Sequence, residues 1–186
     1  MAAGTAGAYA EAARIFEKMR EWPMVAQVSV DAKKGRVWQR SNGKKMPETM
    51  NAVASAACAR EGGVAFTYAP KALPLPATDA FRAAAAECPF LARLNREIIV
   101  VTDLADGEYA LLFDGREVGR FSAAAFAKGV DVAPLDTPNQ RLARAAAGLA
   151  EKLPSAAPED AEDIRERLDA VRPLVSRVVV KPAIGS

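Results

Sequence analysis

The sequence predicts an α+β fold, with mainly antiparallel β-sheets built from hairpins and several peripheral helices. Three observations predict it. Asp114-Gly115 separates two β-rich runs, Glu108 to Phe113 and Glu117 to Phe121, and this dipeptide permits positive φ at both turn centres. Gly62-Gly63 is a hairpin turn signal before the β-rich run Val64 to Tyr68, and it favours a strand over Asn51 to Arg60, although the alanines there would also suit a helix. Thr137-Pro138-Asn139-Gln140 combines a cap, a proline suited to the first helical position and a glutamine at capping-box spacing.

The remaining elements follow in chain order. Tyr9, Ala12, Ala13, Phe16 and Met19 recur at helical spacing within Ala8 to Arg20, and Pro23 ends that helix. Val25, Val28 and Val30 alternate with polar residues in a strand from Met24 to Asp31. Gly35 supplies a turn into a short strand, Arg36 to Gln39, and the polar stretch from Arg40 to Met50 reads as a loop. Pro70, Pro74 and Pro76 keep the next segment extended. Thr78 or Asp79 caps a helix over Ala80 to Glu87, broken by Pro89. Ile98 to Thr102 reads as a buried strand. Ser122 caps a short helix through Lys128, with Gly129 past its end. The helix opened by Thr137 should run to about Lys152. A second, from Pro158, carries Glu159, Asp160 and Glu162 near its positive end and stops before Pro173; Val175 to Val180 reads as a terminal strand. The core expected from this pattern includes Val28, Val30, Phe66, Ile98, Val100, Tyr109, Leu111, Phe113, Val118 and Phe121.

Three regions result: a helix in 1–22, a β-rich region in 23–134, and helices with a terminal strand in 135–186. The 186 residues suit one domain with helical additions. No apolar run is long enough to span a membrane. The first residues lack the basic and apolar regions of a signal peptide, so the chain as written is expected to be cytoplasmic, although a parent protein is free to be exported.

Composition narrows the chemistry. The chain contains no histidine, so the usual base of a serine nucleophile is missing. No G-x-S-x-G elbow, Walker loop or G-x-G-x-x-G is present. Cys58 and Cys88 read as two small buried thiols, and without histidine they make no zinc set. No cofactor is expected, and Asp103 and Asp106 read as solvated turn residues. One segment leans toward an interaction surface. Lys33, Lys34, Arg36, Arg40, Lys44 and Lys45 lie close together with no acid among them, and Trp38 sits in the middle. Phosphate backbones favour such clusters. The small net charge of +2 and the lack of an accompanying motif argue against nucleic acid and for a solvated hairpin, with Trp38 on the core.

A resemblance adds to this reading. The run from Glu97 to Arg144, EIIVVTDLADGEYALLFDGREVGRFSAAAFAKGVDVAPLDTPNQRLAR, resembles the C-terminal region of bacterial SGNH/GDSL-type hydrolases, a lipase- and esterase-like family. There a strand and turn lead to a Y-x-L-x-x-D-G-x-x-V-G hairpin, an S-A-x-x-x-A-x-G-V helix and a T-P helix start. VAFTYAPKALPLP, at 64–76, is similar to the segment before it. The resemblance extends over about residues 4 to 150.

In that family a serine in a GDS-type block and an Asp and His in a D-x-x-H-P segment carry the chemistry. Here GTAGAYAEAARIFEKM, residues 4–19, resembles the region after that histidine, and aligning Gly7 with the family glycine sets Ala2 and Ala3 where His-Pro would stand. The GDS block and the oxyanion Gly and Asn blocks have no counterpart, so no catalytic residue carries over. The resemblance therefore implies a non-catalytic accessory region of an ester hydrolase, left by a truncated gene product, a misplaced start or a surviving module. Its implied partners are a missing catalytic domain or a second copy, met through the apolar face of the N-terminal helix. An independent carbohydrate- or protein-binding module is the alternative, and a polyanion binder ranks third.

Overall fold

The computed structural model describes residues 26–37, 52–76, 78–79, 83, 86–87 and 95–183. The expected helix at 8–20, the loop at 40–50 and Cys88 lie outside these residues.

Chain order gives β1 (Ala26–Asp31), β2 (Arg36–Val37), β3 (Ala52–Arg60), β4 (Gly63–Pro70), β5 (Glu97–Thr102), β6 (Glu108–Phe113) and β7 (Arg116–Ser122). Then come α1 (Ala123–Lys128), β8 (Val130–Asp131), α2 (Pro138–Ala150), a 3-10 turn (Leu153–Ser155), α3 (Pro158–Asp169) and β9 (Ser176–Pro182). Asp79, Ala83, Ala86 and Glu87 are helical, within the span expected from the Thr78-Asp79 cap signal. The fold is α+β with two mostly antiparallel sheets.

Local chemistry places the turns. Asp114 (φ 51°) and Gly115 (φ 86°) both adopt positive φ in the β6–β7 turn, as an Asp-Gly hairpin requires. The Ser122 hydroxyl oxygen accepts from the Ala125 N–H at 3.2 Å and starts α1. Thr137 does the same for Gln140 N–H at 3.1 Å, with Pro138 as the first helical residue of α2. Thr137 is buried, so its capping oxygen works away from water. Thr137→Ala is expected to lower stability by about 1 kcal/mol, measured as a lower urea midpoint at unchanged slope.

The first sheet has the order β2-β1-β5-β8 and the second β3-β4-β9-β6-β7. They share one core. From the first come Val28, Val30, Ile99 and Val101; from the second come Val64, Phe66, Tyr68, Leu111, Phe113, Val178 and Val180. Alternation explains the split, because residues two apart on a strand share a face. Phe126 of α1 is fully buried and meets Phe121 edge-to-face at 5.7 Å.

Most of the expected core is buried: Val28, Val30, Phe66, Ile98, Tyr109, Leu111 and Phe113. Val100, Val118 and Phe121 are half-buried instead. Val100 lies on the opposite face of β5 from Ile99 and Val101, near Gly129, and β7, which carries Val118 and Phe121, is at a sheet edge.

Two strand pairings go beyond what the hairpin pattern marks, and one expectation, for Cys58, is corrected. β1 and β5 pair in parallel, with Ala26 opposite Glu97 through Asp31 opposite Thr102. The chain between them contributes the β3–β4 hairpin to the second sheet, so hairpin signals alone did not reveal the crossover. The terminal strand β9 lies in the middle of the second sheet, antiparallel to β4 and β6; a division at 134/135 would cut through that sheet. Cys58 is exposed rather than buried, because β3 is an edge strand with a register shift between Ser55 and Cys58 and with Ala56 at φ 51°. Such bulges twist an edge away from further pairing.

Candidate functional site

Of the residues expected to form an interaction surface, Lys33 and Lys34 lie in the β1–β2 turn and Arg36 opens β2, all exposed. Trp38, Arg40, Lys44 and Lys45 lie outside the described residues. Of the described members, Lys34 is paired locally. The Asp31 carboxylate accepts from Lys34 N–H at 2.8 Å and pairs with the Lys34 ammonium at 3.7 Å. Lys33 is left facing a cavity of about 320 Å³. Ala32, Ala59, Arg60, Gly62, Gly63, Asp103 and Ala105 complete its lining. Sequence separation hid this grouping, since it draws on three turns; Asp103 is exposed, as expected of a solvated turn residue.

A second polar cluster is sealed inside. Glu97, on the inner face of β5, is 1% exposed, and Tyr68, on the inner face of β4, is 2% exposed. The Tyr68 hydroxyl donates to Glu97 Oε1 at 3.1 Å, a tie between the two sheets. Burial pushes the Glu97 carboxyl up to about 7; the Tyr68 hydrogen bond opposes the rise and nearby Asp131 adds to it. Burial, and then the Glu97 charge, raise Tyr68 far above the ordinary phenol range. Asp131 is itself held in place, accepting from the Glu97 and Ala133 N–H groups at 3.1 Å each and pairing with Arg96 at 3.5 Å.

Ser176 stands directly opposite Tyr68 across the β4–β9 ladder. Its buried hydroxyl has no hydrogen-bond partner among the described residues. A serine, a tyrosine and a carboxylate side by side suggest nucleophile chemistry, but all three are at most 2% exposed. No substrate atom reaches them while the sheets stay packed, so the cluster acts as structure.

Buried amides form a third group that the sequence did not single out. Asn95 Oδ1 accepts from Leu75 N–H at 2.7 Å, and its Nδ2 donates to Leu75 O at 3.2 Å. Asn139 grips Leu174 in the same two-point manner, at 2.7 and 3.0 Å. Gln140 Nε2 donates to the carbonyls of Leu75 and Ala133. Asn139 and Gln140 were legible only as part of a helix start; their partners lie far away in sequence. On the surface, Asp136 is ringed by Arg116, Arg141 and Arg144, with the Arg116 contact at 2.9 Å. The hydrogen bond from Arg144 is the main cause that lowers its pKa.

Among the described residues, no three His, Cys, Asp or Glu side chains gather as a metal site, and no helix is long and apolar enough to cross a membrane.

These features define an α+β protein with two sheets around a common core, a sealed Tyr-Glu tie and an open cavity at the rim. Among solved structures, the chain is similar to a gut microbial diltiazem-metabolizing enzyme, BT4096, with a TM-score of 0.66 at 18% identity. The match covers 92% of this chain and 53% of that one, so this chain spans about half of that enzyme's length. At this identity the likeness concerns the fold. No protein-family model matches the chain, and no curated protein does.

Proposed function

We propose that the chain is a C-terminal accessory region of an SGNH/GDSL-type ester hydrolase and is non-catalytic by itself. The observation that carries the reading is the motif resemblance from Glu97 to Arg144. That run supplies β5, the β6–β7 hairpin, α1 and the start of α2 as one continuous stretch. The fold likeness to part of a larger enzyme supports it, since an accessory region would cover only a share of such a chain. The lack of histidine supports the non-catalytic part. The partner in this reading is a catalytic domain, or a second copy of the chain. Nothing in the reading calls for a cofactor.

Two measurements test it. DNA upstream of the Met1 codon is expected to encode GDS and D-x-x-H-P blocks in frame; an unrelated gene there would favour an independent binding module. The purified chain is expected to hydrolyse p-nitrophenyl acetate no faster than buffer. Saturable turnover abolished by one Ser or Lys substitution would overturn the non-catalytic assignment.

The alternative, a carbohydrate- or protein-binding module, draws support from the open rim cavity.

A further inference from the structure

The rim cavity lies where three turns converge. The β1–β2 turn brings Ala32 and Lys33, the β3–β4 turn brings Arg60, Gly62 and Gly63, and the loop after β5 brings Asp103 and Ala105. This is the carboxyl end of β1 and β5, the parallel pair of the first sheet. In open sheets, ligands gather beyond the carboxyl ends of parallel strands. The volume of about 320 Å³ falls at the lower end of the range of small-molecule sites.

The charges are arranged for an anion. Lys34 is paired with Asp31. Lys33 and Arg60 make no ion pair among the described residues, and both are exposed at the cavity. An ammonium and a guanidinium on residues that line one opening, neither held in an ion pair, favour a negatively charged ligand group, and the guanidinium adds a planar fork of donors. Asp103 supplies the opposite chemistry. It is a non-glycine residue at φ 60°, a region that L-residues occupy at a cost. Its Oδ2 accepts from the Thr102 hydroxyl at 3.2 Å, which leaves acceptor sites on the carboxylate. A ligand that satisfies all three side chains carries an anionic group and, beside it, hydroxyls able to donate.

We propose that this cavity binds a small anionic polyol, of the sugar-phosphate or sugar-acid type. Its anionic group sits between Lys33 and Arg60, and a hydroxyl donates to Asp103. The proposal is independent of any ester-hydrolase ancestry, because it rests on the side chains that line this cavity and on no family motif.

Isothermal titration of the full chain at low salt tests it, with glucose 6-phosphate, inorganic phosphate and glucose as probes. Glucose 6-phosphate is expected to bind one-to-one with a Kd below about 1 mM, weakening as salt rises. Inorganic phosphate, which cannot satisfy Asp103 with a sugar hydroxyl, is expected to bind about tenfold more weakly, and glucose not measurably. A Lys33→Ala/Arg60→Ala variant is expected to lose at least about tenfold for glucose 6-phosphate. Both side chains are exposed, so an unchanged circular dichroism spectrum and melting curve should show that this variant still folds. Asp103→Asn is expected to weaken glucose 6-phosphate more than phosphate. No heat at about 10 mM glucose 6-phosphate, or equal affinity in the double variant, would overturn the site. Equal binding of phosphate and glucose 6-phosphate would overturn the polyol assignment.

Discussion

Glu97→Gln is expected to gain stability relative to the parent chain as pH rises, by about 3 kcal/mol between pH 4 and pH 8. The sign follows from the buried carboxyl. Its pKa is raised from 4.5 to about 7, mainly by burial. A raised acid favours folding while it is neutral. Its contribution is full below about 4.5, falls as pH rises through the interval and is gone above about 7. At about 1.36 kcal/mol for each pH unit of that interval, the loss comes to about 3 kcal/mol. Glutamine has no charge to bury and keeps an oxygen that can accept from the Tyr68 hydroxyl. Its amide N–H groups need partners, so the absolute stability of the variant can fall at every pH; the change of the difference with pH carries the test. Asp136, whose pKa is lowered, is present in both chains and cancels. Urea unfolding of both proteins across this range is the measurement. Parallel stability curves would show that Glu97 does not titrate inside the folded sandwich.

Gly63→Ala is expected to destabilise the chain by about 3 kcal/mol or more, or to prevent folding. A β-carbon at Gly63 would lie 2.0 Å from the Val180 carbonyl oxygen and 3.1 Å from Lys181 Cα. Both neighbours are backbone atoms of β9. That strand is the central one of its sheet, hydrogen-bonded to β4 and β6, so it has little freedom to move aside. Overpacking against side chains typically costs about 1–3 kcal/mol, and a backbone oxygen cannot rotate away as a side chain can. Gly148→Ala makes the contrast. Gly148 lies in α2, and its added methyl would meet nothing within 4 Å. It is expected to stabilise by up to about 1 kcal/mol through helix propensity. Thermal melts of the two variants should shift in opposite directions. A Gly63→Ala chain as stable as its parent would mean that β4 and β9 do not pair in this register.

The sequence by itself determined the features whose causes lie within a few residues. Asp114-Gly115 turned the β6–β7 hairpin, and Ser122 and Thr137-Pro138 started α1 and α2, while β3 turns into β4 at Glu61-Gly62, one position before the expected Gly62-Gly63, since Gly63 already pairs with Arg60. Each is a local matter of φ preference or of a side-chain oxygen meeting a nearby N–H. It also marked Lys33 and Lys34 as exposed cations. Only the tertiary structure decided which strands became neighbours. A hydrophobic strand states that it needs a partner but not which one, so the insertion of β9 between β4 and β6 and the parallel pairing of β1 with β5 were invisible in the pattern. The same reason hid the polar sites. Tyr68 meets Glu97 across 29 positions, Gln140 meets Leu75 across 65, and Arg60 and Asp103 join Lys33 at one cavity only after both sheets have closed on their shared core. Such contacts depend on which faces pack, and packing is settled by the whole set of apolar surfaces at once rather than by any one segment.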